Sequence, residues 1–445
     1  MPRIIGSLMV IITVGVFMAT ESAAEVFPYT YQTQTLENGL KYILIPMDTP
    51  GLVSYFSVVR TGSRDEYEPG HSGFAHLFEH MMFRGTENFP GDVYDQMVTR
   101  LGADGSAYTT DDYTCYHLTL TPGDLDRVAM LESDRFKNLQ YGEREFQTET
   151  GAVYGEYRKG RTNPWSVLFE EIHDLAFDKH TYKHTTMGFE EDIKAMPTMY
   201  NYSRSFFQRY YRPENVILMI VGDIRTGQTS AVIQQYYGDW NPGYVPPRIQ
   251  TEPPQDGARS KAVRYTGRTL PLLDVAYKGP EFDAERKDFA ALEIIGELAF
   301  GENSEVYKRL VIQEQKVEFI TAMFQKNRDP GLLHILSMIR SEEDIGYVRD
   351  LIYETLKHYK TNLVDSDELE ELKSRVTYGF LMDLDTPAKV ANNLARYVAL
   401  SGGVGVVDVY FQQMQKITPE DLRDVARKYF TEQTRNVITL RGAQQ

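Results

Sequence analysis

Residues 209–222 read Arg-Tyr-Tyr-Arg-Pro-Glu-Asn-Val-Ile-Leu-Met-Ile-Val-Gly, and residues 428–442 read Lys-Tyr-Phe-Thr-Glu-Gln-Thr-Arg-Asn-Val-Ile-Thr-Leu-Arg-Gly. Each is a helix end with paired aromatics, a turn, and then Asn-Val-Ile opening a strand that runs to Gly222 or Gly442. A helical stretch precedes each, Tyr202 to Tyr211 and Pro419 to Phe430. Both copies close a segment of about 200 residues, so the chain reads as a tandem duplication of one α+β unit. Between them lies Asn241-Pro242-Gly243-Tyr244-Val245-Pro246-Pro247, then Glu252-Pro253-Pro254-Gln255-Asp256-Gly257. This richest stretch of proline and glycine predicts a semi-rigid linker over 241–257. It separates an N-terminal domain over 25–240 from a homologous C-terminal domain over 258–445.

The local pattern agrees with α+β. Leu40 to Pro46 reads as a strand that stops at proline, Val53 to Arg60 as a second strand, and Tyr113 to Leu120 as a third. Residues 73–84 and Asp124 to Phe136 have helical spacing. The mixture predicts an antiparallel sheet with helices packed on it.

Arg3, an apolar run from Ile4 to Ala19 and the small-x-small site Ser22-Ala23-Ala24 read as a secretory signal over residues 1–24, with the alternative of an uncleaved anchor. No second stretch is apolar enough to span a membrane. The expected location is a bacterial periplasm or beyond. Cys115 is the single cysteine, so no internal disulfide and no cysteine-built zinc module can form. Lys and Arg number 47 against 63 Asp and Glu, a net charge of −16. Such a chain lacks the clustered cations that nucleic acid demands, and it suits basic or unfolded peptides better.

The chemistry is concentrated in Pro69-Gly70-His71-Ser72-Gly73-Phe74-Ala75-His76-Leu77-Phe78-Glu79-His80-Met81-Met82-Phe83-Arg84-Gly85. Ser72 is a candidate helix start and Arg84-Gly85 a candidate stop. On a helix, His76 and His80 lie one turn apart, about 6 Å along the axis, and Glu79 shares their face. Two imidazoles so placed can hold one zinc ion, and the neighbouring carboxylate can take a proton from a water that the cation acidifies. Two surface histidines on an ordinary helix are the plain alternative. The apolar neighbours Phe74, Leu77, Phe78 and Met81 place the helix in a core, where unliganded histidines would be costly. A catalytic zinc needs a third protein ligand. Glu149 and Glu156, seven apart on one helical face, are the candidates, and spacing alone does not choose between them.

The His-x-x-Glu-His motif, a glutamate 76 residues after its second histidine and another seven before that one resemble the M16 (pitrilysin, inverzincin) metallopeptidases. So do Gly62 to Glu66, Met82 to Thr86, His184 to Gly188 ahead of Asp192-Ile193, and Pro213-Glu214-Asn215 leading to Val221-Gly222-Asp223. The likeness covers essentially the whole mature chain. It is nearest to the short bacterial members and the mitochondrial processing peptidase subunits. It implies two tandem homologous α/β-sandwich domains of the M16/LuxS-like metallohydrolase fold. It implies one zinc per chain on His76, His80 and Glu156, Glu79 as general base, and Glu149 as an acid holding a ligand. It also implies paired chains closing around a chamber, with substrate peptide added as a strand to a sheet edge.

Two positions depart from the family. Its edge strand commonly carries Asn-Ala-x-Thr, and here Ser106-Ala107-Tyr108-Thr109 stands there, with Ser106, Ala107 and Tyr108 the expected substrate contacts. Active members place an arginine and a tyrosine, seven apart, in the C-terminal half to donate to the developing oxyanion. The matching positions are Ile312 and Phe319, neither of which can donate. Arg309 and Tyr307 are nearby at the wrong spacing. The reading that follows is a zinc endopeptidase subunit whose homologous partner supplies the donors. A self-sufficient homodimer and a non-catalytic scaffold are the alternatives.

Overall fold

The computed structural model describes residues 26–443, so the expected signal over 1–24 lies outside the described residues. Among the described residues eleven strands form two sheets. The first holds β1 (Gln32–Thr35), β2 (Lys41–Pro46), β3 (Val53–Val59), β4 (Asp104–Thr109), β5 (Thr114–Leu120) and β6 (Val216–Gly222), in the order β1-β2-β6-β3-β5-β4. The second holds β7 (Arg259–Arg264), β8 (Leu272–Lys278), β9 (Val317–Phe324), β10 (Leu332–Ile339) and β11 (Arg435–Arg441), in the order β7-β11-β8-β10-β9. Without β1 the two orders are the same walk. The strand that closes each half, β6 or β11, inserts between the first and second strands of its unit.

That insertion corrects one expectation. The sheets are mixed rather than antiparallel: β6 runs parallel to β2, and β11 parallel to β7, while every other pairing is antiparallel. The closing strand arrives from a long helical crossover, which lets it lie alongside its unit's first strand in the same direction. Its register is Lys41 opposite Ile217 through Pro46 opposite Gly222.

Strands buried on both faces need cover on both. In β2, Tyr42 and Leu44 point into one apolar cluster, and Ile43 and Ile45 into another. The second cluster is completed from the other half of the chain: Val390, Ala391, Leu394, Ala395 and Val398 of helix Pro387–Ser401 pack with Ile43, Phe56, Val58, Ile217 and Met219. The exchange is reciprocal. Helix Pro164–Ala176 of the first half lays Val167, Leu168 and Ile172 on Leu272, Ala276, Leu336, Ile438 and Leu440 of the second sheet. Both lent helices begin with proline after a side-chain cap, Asn163 or Thr386. Each buried Leu or Ile contributes ~1.5–3 kcal/mol, so neither sheet is adequately covered by its own half.

Residues 241–256 hold no helix or strand. They are nonetheless fastened, because the Glu252 carboxylate accepts the backbone N–H groups of Asp178, Lys179 and His180 at 2.9, 2.9 and 3.0 Å. Cys115 is buried. Among the described residues no single helix is long and apolar enough to cross a membrane.

Candidate metal centre

Helix Phe74–Met81 is short, and its position is set by what it buries. Phe74, Leu77, Phe78 and Met81 are fully enclosed in the core beneath the first sheet, with Phe78 stacked on Phe206 at 5.1 Å. Ser72 does not cap it. Its hydroxyl instead donates to Asp192 Oδ2 at 2.6 Å and accepts from the Phe189 N–H. The capping position is Gly73 at φ 89°, a left-handed turn where a side chain would strike the Met187 carbonyl. The orphan amides go to Glu66, whose two oxygens accept from Gly73 and Ala75 at 2.7 and 2.6 Å. Burial pushes the Glu66 pKa well up, and those two amides pull it the other way.

The face opposite the core carries the ionisable set. His76 and His80 have ring centroids 4.8 Å apart. Their Nε2 atoms lie 3.7 and 3.4 Å from Glu156 Oε2. Glu156 comes from helix Glu143–Gly160, which packs against the motif helix. One helical-turn pair and a distant carboxylate are thus brought together, as are no other three such residues among those described. Glu149, two turns earlier, takes the other side of His80: its Oε1 is 3.0 Å from Nδ1, and Arg84 donates to its second oxygen. A carboxylate on Nδ1 requires the proton there, which leaves the Nε2 lone pair facing Glu156. Spacing alone did not separate Glu149 from Glu156; in the structure Glu156 faces both imidazoles and Glu149 faces Nδ1 of His80.

The set fits a zinc ion. Bonds of ~2.0–2.1 Å at tetrahedral angles separate ligand atoms by about 3.4 Å, close to the observed nitrogen–oxygen distances, which are too long for hydrogen bonds. Burial, with the adjacent His80, holds the His76 imidazole down at about 4, so it is neutral and offers a lone pair. His76 Nδ1 is buried without a hydrogen-bond partner among the described residues, so only one of the two imidazoles is oriented from behind.

Glu79 projects beside the cluster without joining it. Its Oε2 accepts a 2.6 Å bond from the Thr109 hydroxyl at the end of β4, and burial raises its pKa. β4 is the outermost strand of its sheet and runs beside the motif helix. Ser106, Ala107 and Tyr108 lie along it, Ser106 exposed and Tyr108 half-buried toward Tyr113. It is Thr109, next along the strand, that bonds to Glu79 beside the cluster. In the C-terminal half, Ile312 is 59% exposed on a π-helical turn, and Phe319 packs on Trp165 at 5.5 Å. Arg309 is held by Glu314 at 2.8 Å.

Sequence comparison matches residues 42–190 to the family described as Insulinase (Peptidase family M16), and residues 200–376 to its companion, Peptidase M16 inactive domain. The chain belongs to peptidase family M16. Its two interlocked halves are the two-domain M16 fold. Zinc protease PqqE of Helicobacter pylori is 27% identical, over 99% of this chain and 98% of that protein. Mitochondrial-processing peptidase subunit beta of Mus musculus is 22% identical, over 95% and 87%. The crystal structure of a protease from Helicobacter pylori superposes with a TM-score of 0.87 at 26% identity, covering 93% of this chain and 99% of that one. The M16 family thus holds both peptidases and domains described as inactive. In this chain the His-His-Glu cluster lies within the first match.

Sequence reasoning passed over three residues of the centre: Glu66, Arg84 and Thr109. Each sits inside a quoted stretch, Glu66 in a flank of the family resemblance, Arg84 as a helix stop and Thr109 on the edge strand, and none was singled out for the centre. Their partners lie 9, 65 and 30 residues away in the chain, respectively, where no local period reports them.

Proposed function

We propose that this chain is a zinc endopeptidase, exported to a periplasm or beyond, and the metal-bearing subunit of a heterodimer. The N-terminal domain, 25–240, carries the site, and the homologous domain, 258–445, follows the linker 241–257. The observation that carries this reading is the convergence of His76 Nε2, His80 Nε2 and Glu156 on one point beside Glu79. The basic start and apolar run of the first 19 residues support export.

His76, His80 and Glu156 would hold the zinc, which would supply Lewis acidity and lower the pKa of water toward ~7. Glu79 then takes the proton of the attacking water and returns it to the leaving amine. Thr109 orients Glu79 through its hydroxyl, tying the base to the strand on which the substrate lies. The peptide adds to the open edge of β4, along Ser106, Ala107 and Tyr108, so backbone pairing supplies affinity and places the scissile carbonyl. Glu149 acts behind His80, holding its ring and tautomer. Glu149→Gln is expected to weaken zinc binding ~10–100-fold, measured by competition with a chromophoric chelator. Unchanged affinity would remove Glu149 from this role.

With Ile312 and Phe319 at the expected donor positions, the isolated chain lacks two hydrogen bonds to the oxyanion. The loss of one typically costs ~10²–10³ in kcat. Adding a homologous chain that carries the arginine and tyrosine is expected to raise peptide hydrolysis at least ~10²-fold. Equal activity of the lone chain, running as a homodimer on gel filtration, would overturn the heterodimer. The β-subunit name of the murine relative supports pairing.

A further inference from the structure

The loop from β9 to β10, residues 325–331, starts and ends in the second sheet, and its tip bonds to the N-terminal half. Its root is held at home. The Lys326 ammonium reaches Glu293 and lies 5.2 and 4.8 Å from the ring centres of Phe289 and Tyr410. Its tip is held by the other half. The Arg328 N–H donates to Asp112 Oδ2 at 3.0 Å, and the Tyr182 hydroxyl donates to Asp112 Oδ1 at 2.7 Å. Arg64 Nε donates to Asp329 Oδ2 at 2.5 Å, and His180 Nε2 lies 3.0 Å from the same oxygen. Burial works against the Asp329 charge, yet these hydrogen bonds from His180 and Arg64 hold its carboxyl far below the usual range.

From Arg64 the bonds run on to the metal helix. Arg64 Nη1 lies 3.1 Å from Asp65 Oδ1, and the other Asp65 oxygen accepts the Gly62 N–H at 3.0 Å. The Tyr210 hydroxyl fixes the Asp65 carbonyl at 2.7 Å. The next residue is Glu66, which takes the first amides of helix Phe74–Met81.

We propose that Asp329 is a positioning residue: anchored in one half, it fixes the Arg64–Glu66 segment that caps the helix bearing His76, Glu79 and His80. The geometry of the centre then depends on the seating of the C-terminal half, although that half supplies no ligand. The catalytic consequence rests on the zinc-peptidase reading; the mechanical one does not.

The test uses the full chain as wild type, Asp329→Asn and Arg328→Ala. The last removes guanidinium bonds of the same loop to the Arg60 and Asp112 carbonyls but leaves Asp329 in place. Metal-free amide exchange over residues 67–81 is expected to quicken on the order of tenfold in Asp329→Asn, with helix Lys287–Phe300 and the rest of the second half unchanged. Arg328→Ala should leave residues 67–81 at the wild-type rate. With zinc, Asp329→Asn should lower kcat and leave KM unchanged. Wild-type exchange in Asp329→Asn overturns the proposal, as does acceleration spread over the whole chain. If Asp329→Asn does not fold, Arg64→Lys, which keeps the charge and loses the Nε donor, answers the same question. A wild type that neither takes zinc nor cuts peptide sinks the peptidase reading, and the exchange comparison still decides this one.

Discussion

Glu79→Gln is expected to keep zinc at the wild-type level and to lower kcat by ~10²–10⁴. The substitution preserves shape and leaves an oxygen that can still accept the Thr109 hydroxyl, so the helix and the base position are retained. What disappears is the capacity to take a proton. Glu79 is not one of the three residues proposed to hold the metal, so metal content should not fall. Metal analysis of the purified variant, beside peptide hydrolysis with and without a homologous partner, reads both quantities. Stoichiometric zinc with near-normal turnover would show that another group takes the proton. A variant devoid of zinc would instead place Glu79 among the ligands.

The duplication was legible because a strand buried on both faces leaves a continuous apolar run, Val-Ile-Leu-Met-Ile-Val at 216–221, that a local reading detects. The pairing of His76 with His80 was legible for a similar reason: they are one helical turn apart, and the helix fixes their relation. Direction of pairing was not. β6 and β2 are separated by most of the N-terminal half, and nothing local in either says that they run parallel. The helix exchange was equally hidden. Val167, Leu168 and Ile172 announce an apolar face but not that its partner sheet lies some hundred residues further on. Glu66 illustrates the same limit inside the site. A carboxylate seven residues ahead of Gly73 carries no local sign of its partner, yet the fold buries it as the cap of the helix that bears His76 and His80.

The reciprocal helices also bear on what the C-terminal half does for the first sheet. Helix Pro387–Ser401 covers β3 and β6, and β3 pairs with β5, which in turn carries β4. The edge where substrate is proposed to pair is therefore supported from the C-terminal half. The same half presents Ile312 and Phe319 where donors are expected. Scaffolding and oxyanion stabilisation are separable tasks, and on the proposed reading this half performs the first and leaves the second to a partner chain.

His80→Ala is expected to abolish both zinc retention and turnover while leaving the fold intact. Two ligands would remain, His76 and the half-exposed Glu156, and two cannot hold the cation against a chelator or solvent. The fold should survive because the helix is held by Phe74, Leu77, Phe78 and Met81, all enclosed in the core, rather than by metal. Nor is a buried charge abandoned: Glu149 loses the His80 nitrogen but keeps Arg84. Thermal unfolding separates these effects. Zinc at a hundred times its Kd should stabilise wild type by ~2.7 kcal/mol through linkage, and the variant should show no response. Circular dichroism of the metal-free variant should match metal-free wild type. Zinc bound near unit stoichiometry in His80→Ala would mean that this nitrogen is not a ligand, and a collapsed spectrum would mean that the imidazole, not the core beneath it, carries the helix.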